Sequence, residues 1–247
     1  MTEGSKTTFA ITLVLAALGM AGAEATLWLA HFYVPVQITA GSLFVSEPPS
    51  GVNTLNLYES YRIFFVHLPS AYSTALCCGL CLVGGVLFLV TRNARYDALT
   101  VAAAETGLVA GAITLLTGSF WADFAWGTGK IGSGWNWEPR LTSMLILWLA
   151  FAALLALRNA LPNVQARMKL TAVYGILVSP LYPMVQKAIE IGQVSHPRSF
   201  SDLLSAPEIG LTKVVATFGI MLVFAALVAL RFAAHRFGHQ LQQERAA

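Results

Sequence analysis

Six long apolar runs, each with few charges, constrain this chain more than any other feature of its sequence. A helix needs roughly 20 apolar residues to cross the ~30 Å hydrocarbon core of a bilayer, and in lipid only a helix or a closed barrel satisfies its own backbone polar groups. The runs predict an all-α integral membrane protein with transmembrane helices near 9–34, 66–90, 98–118, 141–157, 170–189 and 209–232. They occupy most of the 247 residues, so residues 1–247 read as a single membrane domain in a lipid bilayer. Only 11% of the residues are charged, against about 25% in a soluble domain, which is too few to cover a water-facing surface. The net charge of +3 is small and dispersed, so no nucleic-acid partner is expected.

The first run imitates a secretory signal peptide, with Lys6, an apolar stretch from Phe9 and then Ala21-Gly22-Ala23. It continues through Leu27, Trp28 and Leu29 to Val34, which is long enough to span, and a retained first helix is expected. Lys and Arg then set orientation. With the N-terminus inside, nine of the fifteen fall on the cytoplasmic side, in short loops, and six on the outer side. Both termini are therefore expected in the cytoplasm. Three longer connections, near 35–65, 119–140 and 190–208, face outward and hold most of the prolines, most of the tryptophans and His196, with His67 just past the end of the first. Function is expected on that outer face.

Four of the six tryptophans lie between Gly118 and Arg140, as Trp121, Trp126, Trp135 and Trp137, with glycines among them and Glu138-Pro139-Arg140 at the end. Tryptophan favours the membrane interface, so an aromatic belt is one reading. Belt residues scatter over all helix ends, whereas these cluster in one tryptophan-rich loop. The other reading is a shelf for a flat, partly apolar ligand, each ring contact adding about 0.5–1.5 kcal/mol beyond burial. Arg140 could pair with a carboxylate or propionate of that ligand, or with Glu138.

Two histidines flank this loop in sequence. His67 precedes Pro69, which belongs in a first helical turn, so His67 is expected at the outer end of the second helix. His196 precedes Pro197, which pushes it towards extended backbone before the last helix. Either alone reads as an ordinary interfacial residue. Two neutral imidazoles with an aromatic shelf between them are what a haem iron takes as axial ligands. His31, near the outer end of the first helix, is a weaker candidate. His235 and His239 are spaced i, i+4 near the C-terminus, a spacing that can bind metal, and they read in preference as part of a solvated amphipathic tail. Cys77, Cys78 and Cys81 lie inside an apolar run, and the C-x-x-C formed by Cys78 and Cys81 is followed by Leu82, not His. Covalent c-type haem attachment is not expected, and the thiols read as small buried hydrophobes.

These residues together resemble the haem-handling superfamily marked by a tryptophan-rich "WWD" motif, and within it the cytochrome c maturation protein C family. The resemblance covers about residues 58–205. It rests on Tyr61 to Tyr72 around His67, on Trp126-Gly127-Thr128, on Trp137-Glu138-Pro139-Arg140-Leu141-Thr142-Ser143, and on the position of His196. Two departures stand out. Glu138 replaces the family's usual Asp after the last tryptophan, and Gly129 to Gly134 lengthens the gap between Trp126 and Trp137. The Trp-Glu-Pro-Arg stretch is also similar to larger synthetase members of the superfamily. The resemblance implies haem b held on the outer face between His67 and His196, with Trp121, Trp126, Trp135, Trp137, Glu138 and Arg140 around it. It implies transfer to a membrane-anchored haem chaperone, with ATP-binding cassette subunits and a small membrane accessory subunit as partners. It implies a bacterial or organellar inner membrane, a periplasmic haem site, and no bond cleavage by the chain itself.

Two rivals come from other classes. A haem b subunit of a respiratory oxidoreductase places histidine pairs within its helices, and these helix interiors lack them. An ion or proton transporter could use Glu24 and Glu105, which fall inside predicted helices. Two acids without basic partners make a thin relay.

Overall fold

The computed structural model describes residues 3–34, 61–126, 135, 137–191 and 207–246, and the described part is helical throughout apart from short connections. Helix α1 spans Glu3–Trp28 and ends in a π-helical turn, Leu29–Tyr33. A 3-10 turn, Tyr61–Ile63, leads into α2, Phe64–Thr91. The others are α3 (Ala94–Trp126), α4 (Pro139–Ala160), α5 (Val164–Val178), α6 (Leu181–Ile191) and α7 (Pro207–Ala246). Among the described residues six helical stretches are long and apolar enough to cross a membrane, with α5 and α6 counting as one. The chain is a multi-pass membrane protein.

Each expected span exists, but several run past the end of their apolar pattern. The third reaches 126 instead of 118, and the last reaches 246 instead of 232. The fourth begins at Pro139, where Glu138 has extended backbone as N-cap and its carbonyl accepts from the Thr142 amide at 3.0 Å. Proline suits this first helical position because its missing N–H has no intrahelical partner there. The fifth span is not one helix. Ser179 and Pro180 form a turn between α5 and α6, since proline cannot donate the next helical hydrogen bond. Asn163 caps α5, its side chain accepting from the Ala166 amide at 2.9 Å.

Helix α3 is the most enclosed span and α1 the least. The small side chains of Ala102, Ala103, Ala104 and Ala110 are fully buried on α3 and let α2, α4 and α7 approach it. Small residues serve this purpose in membrane bundles, where close backbone contact takes the place of a hydrophobic driving force. Helix α1 packs mainly along α7. Gly22 meets Gly219 there so closely that a Cβ on Gly22 would fall 2.5 Å from the Gly219 Cα. Cys77, Cys78 and Cys81 are buried free thiols in the main core cluster with Leu147, Phe151 and Leu154, as small hydrophobes.

The end of the bundle opposite the tryptophans corrects two expectations. Glu105 is not without basic partners: it accepts from Arg231 Nε and Nη2 at 2.7 and 2.8 Å, and His235 Nε2 lies 2.9 Å away. The C-terminal residues are not a free tail either. α7 continues unbroken, and His239 Nε2 lies 3.2 Å from Asp97, which receives two hydrogen bonds from Arg158 at 2.7 and 2.8 Å. Thr171 also accepts from Arg158. Buried charges such as Asp97 and Arg158 persist only when paired, and here α3, α4, α5 and α7 supply one another's partners. Glu24 is exposed on α1, with no partner among the described residues.

Candidate haem site

The N-terminal end of α2, the C-terminal turns of α3, the start of α4 and the first turns of α6 meet at the tryptophan end of the bundle. They enclose a cavity lined by His67 and Ala71 of α2, Thr114, Gly118 and Trp121 of α3, Glu138 with Arg140, Leu141 and Met144 of α4, and Tyr182, Val185 and Gln186 of α6. Most of the lining is apolar, and one imidazole, one guanidinium and one carboxyl reach it.

His67 lies in the first turn of α2, which begins at Phe64, before Pro69. Around that proline, Ser70 and Ser73 donate to the Val66 and Pro69 carbonyls, both at 2.8 Å, as hydroxyls do where a proline interrupts a membrane helix. The His67 Nδ1 lies 3.0 Å from Thr117 Oγ1. Its ring stands edge-on to Trp121, with centroids 6.2 Å apart and planes at 64°. Gly118 faces the ring: a Cβ there would fall 2.9 Å from His67 Cε1. A side chain at position 118 would therefore force the imidazole to shift.

The predicted residues separate into three groups. His67, Trp121, Glu138 and Arg140 are brought together around the cavity. Trp135 and Trp137 are neighbours of each other, with centroids 5.9 Å apart and planes at 67°, but do not line it. Trp137 is 73% exposed, whereas Trp135 packs on the main core cluster and its buried Nε1 has no hydrogen-bond partner among the described residues. The ring of Trp126, and His196 altogether, lie outside the described residues. The expected shelf is thus partly a wall. Trp121 sits in α3, not in a loop, is 2% exposed, and packs against Phe64 at 6.0 Å. His31 is elsewhere, its Nδ1 2.6 Å from Arg62 Nη1.

Sequence reasoning missed Thr117, Gly118, Tyr182 and Gln186. Thr117 and Gly118 lie in the last predicted turn of the third helix, where nothing distinguishes a site residue from a packing residue. Tyr182 and Gln186, four residues apart and hydrogen-bonded at 2.8 Å, share one face of α6. They reach the cavity because the turn at Pro180 redirects that face.

A mostly apolar cavity with an imidazole, an indole and a guanidinium in its lining, set in a bundle of six helical stretches long and apolar enough to cross a membrane, makes this a multi-pass helical membrane protein with an amphipathic pocket at one end. The family model for CcmC, heme exporter protein C, matches residues 16–247. The heme exporter protein C of Rhodobacter capsulatus is 33% identical over 178 residues, which cover 69% of this chain and 70% of that protein. That of Escherichia coli K12 is 27% identical over 174 residues, or 70% of this chain and 69% of that protein. A putative cytochrome c biosynthesis ccmC-like mitochondrial protein of Marchantia polymorpha is 38% identical over 93 residues, 38% of this chain and 39% of that protein. The chain belongs to the heme exporter protein C family.

Proposed function

We propose that this chain is a haem-handling protein of cytochrome c biogenesis that holds haem as cargo at the tryptophan end and passes it to a membrane-anchored haem chaperone. The observation that carries this reading is the position of His67: an imidazole in the wall of a mostly apolar cavity, with Trp121 edge-on to it and Arg140 at the same cavity. The residues fit such a cargo. Ala71, Leu141, Met144 and Val185 offer apolar surface to a porphyrin face, His67 and His196 serve as axial ligands, and Arg140 meets a propionate.

The cargo is haem b, held without a covalent bond. The three thiols lie in the core, and none lines the cavity. Two imidazoles on different segments make a ligand set that can be surrendered one at a time, which suits delivery more than storage. The lysine and arginine bias supports an inner-membrane orientation with the cavity on the periplasmic side. ATP-binding cassette subunits and a small membrane accessory subunit complete the proposed assembly.

Purified protein tests the ligand assignment. Bound haem is expected to be low-spin. His67→Ala and His196→Ala should each give five-coordinate, high-spin haem or lose it, and added imidazole should partly restore the low-spin spectrum. His31→Ala should leave the spectrum unchanged. Wild-type spectra from both His67→Ala and His196→Ala would remove the axial assignment.

A further inference from the structure

We propose that Thr117 is a positioning residue that fixes the tautomer of His67 and so selects the ring nitrogen offered to iron. The inference rests on the reading of His67 as a haem ligand. A neutral imidazole carries one N–H and one lone pair, and only the lone pair can bind a metal. Which nitrogen holds the proton is decided by the partner of the other one.

The side-chain partner is Thr117, whose Oγ1 lies 3.0 Å from His67 Nδ1, and the Thr114 backbone carbonyl is a further acceptor beside the ring. A hydroxyl has a single proton to give. In Thr117 it is directed back along α3 to the Ile113 carbonyl at 2.6 Å, with the Thr114 carbonyl more distant at 3.3 Å. With its proton committed, Oγ1 meets the imidazole as an acceptor. Nδ1 is then the protonated nitrogen, and Nε2 keeps the lone pair on a ring that borders the cavity. Gly118 at Cε1 and Trp121 at the ring edge close the remaining sides, so the ring has little freedom to turn over.

Metal-bound histidines generally donate their second N–H to an acceptor, which orients the ring and raises its basicity. Carboxylate acceptors do this strongly. A neutral threonine oxygen does it weakly, giving a ligand that is oriented but only modestly electron-donating. Such a ligand suits cargo that must leave.

Thr117→Val keeps the side-chain volume and removes the acceptor, while Thr117→Ser retains it. In haem-free protein, the 15N shifts of His67 should report an Nδ1-protonated ring in the wild type and in Thr117→Ser, and a larger share of the other tautomer in Thr117→Val. With haem bound, Thr117→Val should raise the dissociation constant about tenfold or more, the usual cost of losing such a partner. It should also move the midpoint potential of the bound haem in the positive direction, and Thr117→Ser should restore both. A merely structural role for Thr117 moves neither the tautomer nor the potential. The inference is overturned if Thr117→Val keeps the wild-type 15N pattern, affinity and potential while His67→Ala loses the low-spin spectrum. If His67→Ala leaves that spectrum intact, the ligand reading itself fails and takes this inference with it.

Discussion

Gly118 has no side chain, and the imidazole of His67 occupies the space one would fill. Gly118→Ala is therefore expected to displace the ring by a few tenths of an ångström or more. Weakened low-spin absorption in a protein that still inserts and folds is the outcome to look for, and an unchanged spectrum would show that the ring tolerates the shift. The two best-described tryptophans should differ in kind. Trp121 is buried between Phe64 and His67, so Trp121→Ala should cost about 3–5 kcal/mol of stability as well as haem retention. Trp137 is largely exposed, so Trp137→Ala should leave the melting temperature within a degree or two of wild type, because surface substitutions typically stay within about 0.5 kcal/mol. Thermal denaturation in detergent, followed beside the Soret band, separates the two. At this scale the sequence pointed to His67, Trp121, Glu138 and Arg140, which do share one cavity, but not to their geometry. A tryptophan cluster with His67 and Arg140 stands out against an apolar background. Whether a given ring is a wall or a surface depends on where α3 ends, and no residue near Trp121 breaks the helix. The contribution of Thr117 is illegible for a different reason: membrane helices use threonine routinely to bond back to their own carbonyls, and this chain does so at Thr74, Thr100, Thr106 and Thr114.

Helices α3, α4 and α7 are joined by charge at the end away from the cavity. Asp97 is buried against Arg158, and removing one partner from a buried pair leaves the other charge uncompensated, at a cost of about 3–5 kcal/mol. Arg158→Met should therefore lower stability sharply. The double variant Asp97→Leu, Arg158→Met should recover part of the loss, because neither member of the pair is left as a stranded charge, while His239 and Thr171 each lose one contact. A double variant no more stable than Arg158→Met alone would mean that the pair contributes more than its own compensation. Glu105 with Arg231 is more open to solvent, and Glu105→Gln should cost less. The existence and order of the six spans were legible because the apolar runs are long. The partners of Glu105 and Asp97 were not, since they lie 126 and 61 residues away and hydropathy patterns carry no information about pairing. The break at Pro180 was written in the sequence, but a proline in an apolar run is compatible with either a kinked or a divided helix.

For the whole molecule, topology is the first test. A reporter fused after Arg198 should be active only outside the cytoplasm and one after Arg95 only inside, as the lysine and arginine distribution requires. The reverse pattern would place the cavity on the wrong side for delivery to an outer-face chaperone. The contact of α1 with α7 depends on glycine facing glycine, so Gly219→Leu should separate the two helices and leave α1 open to proteolysis while the rest of the bundle melts near its usual temperature. Helix α3 runs unbroken from the buried ion pair to the cavity, and this gives the protein a mechanical property. Asp97 and Thr117 are twenty residues apart on one rod, or about 30 Å at 1.5 Å per residue. A rod of that length, hinged at its anchored end, sweeps its far end through roughly 0.5 Å for each degree of tilt. Half a degree of lean at the anchored end thus moves Thr117 by about a quarter of an ångström against His67 of α2, so the contact between the two helices registers tilt applied at the far end of α3.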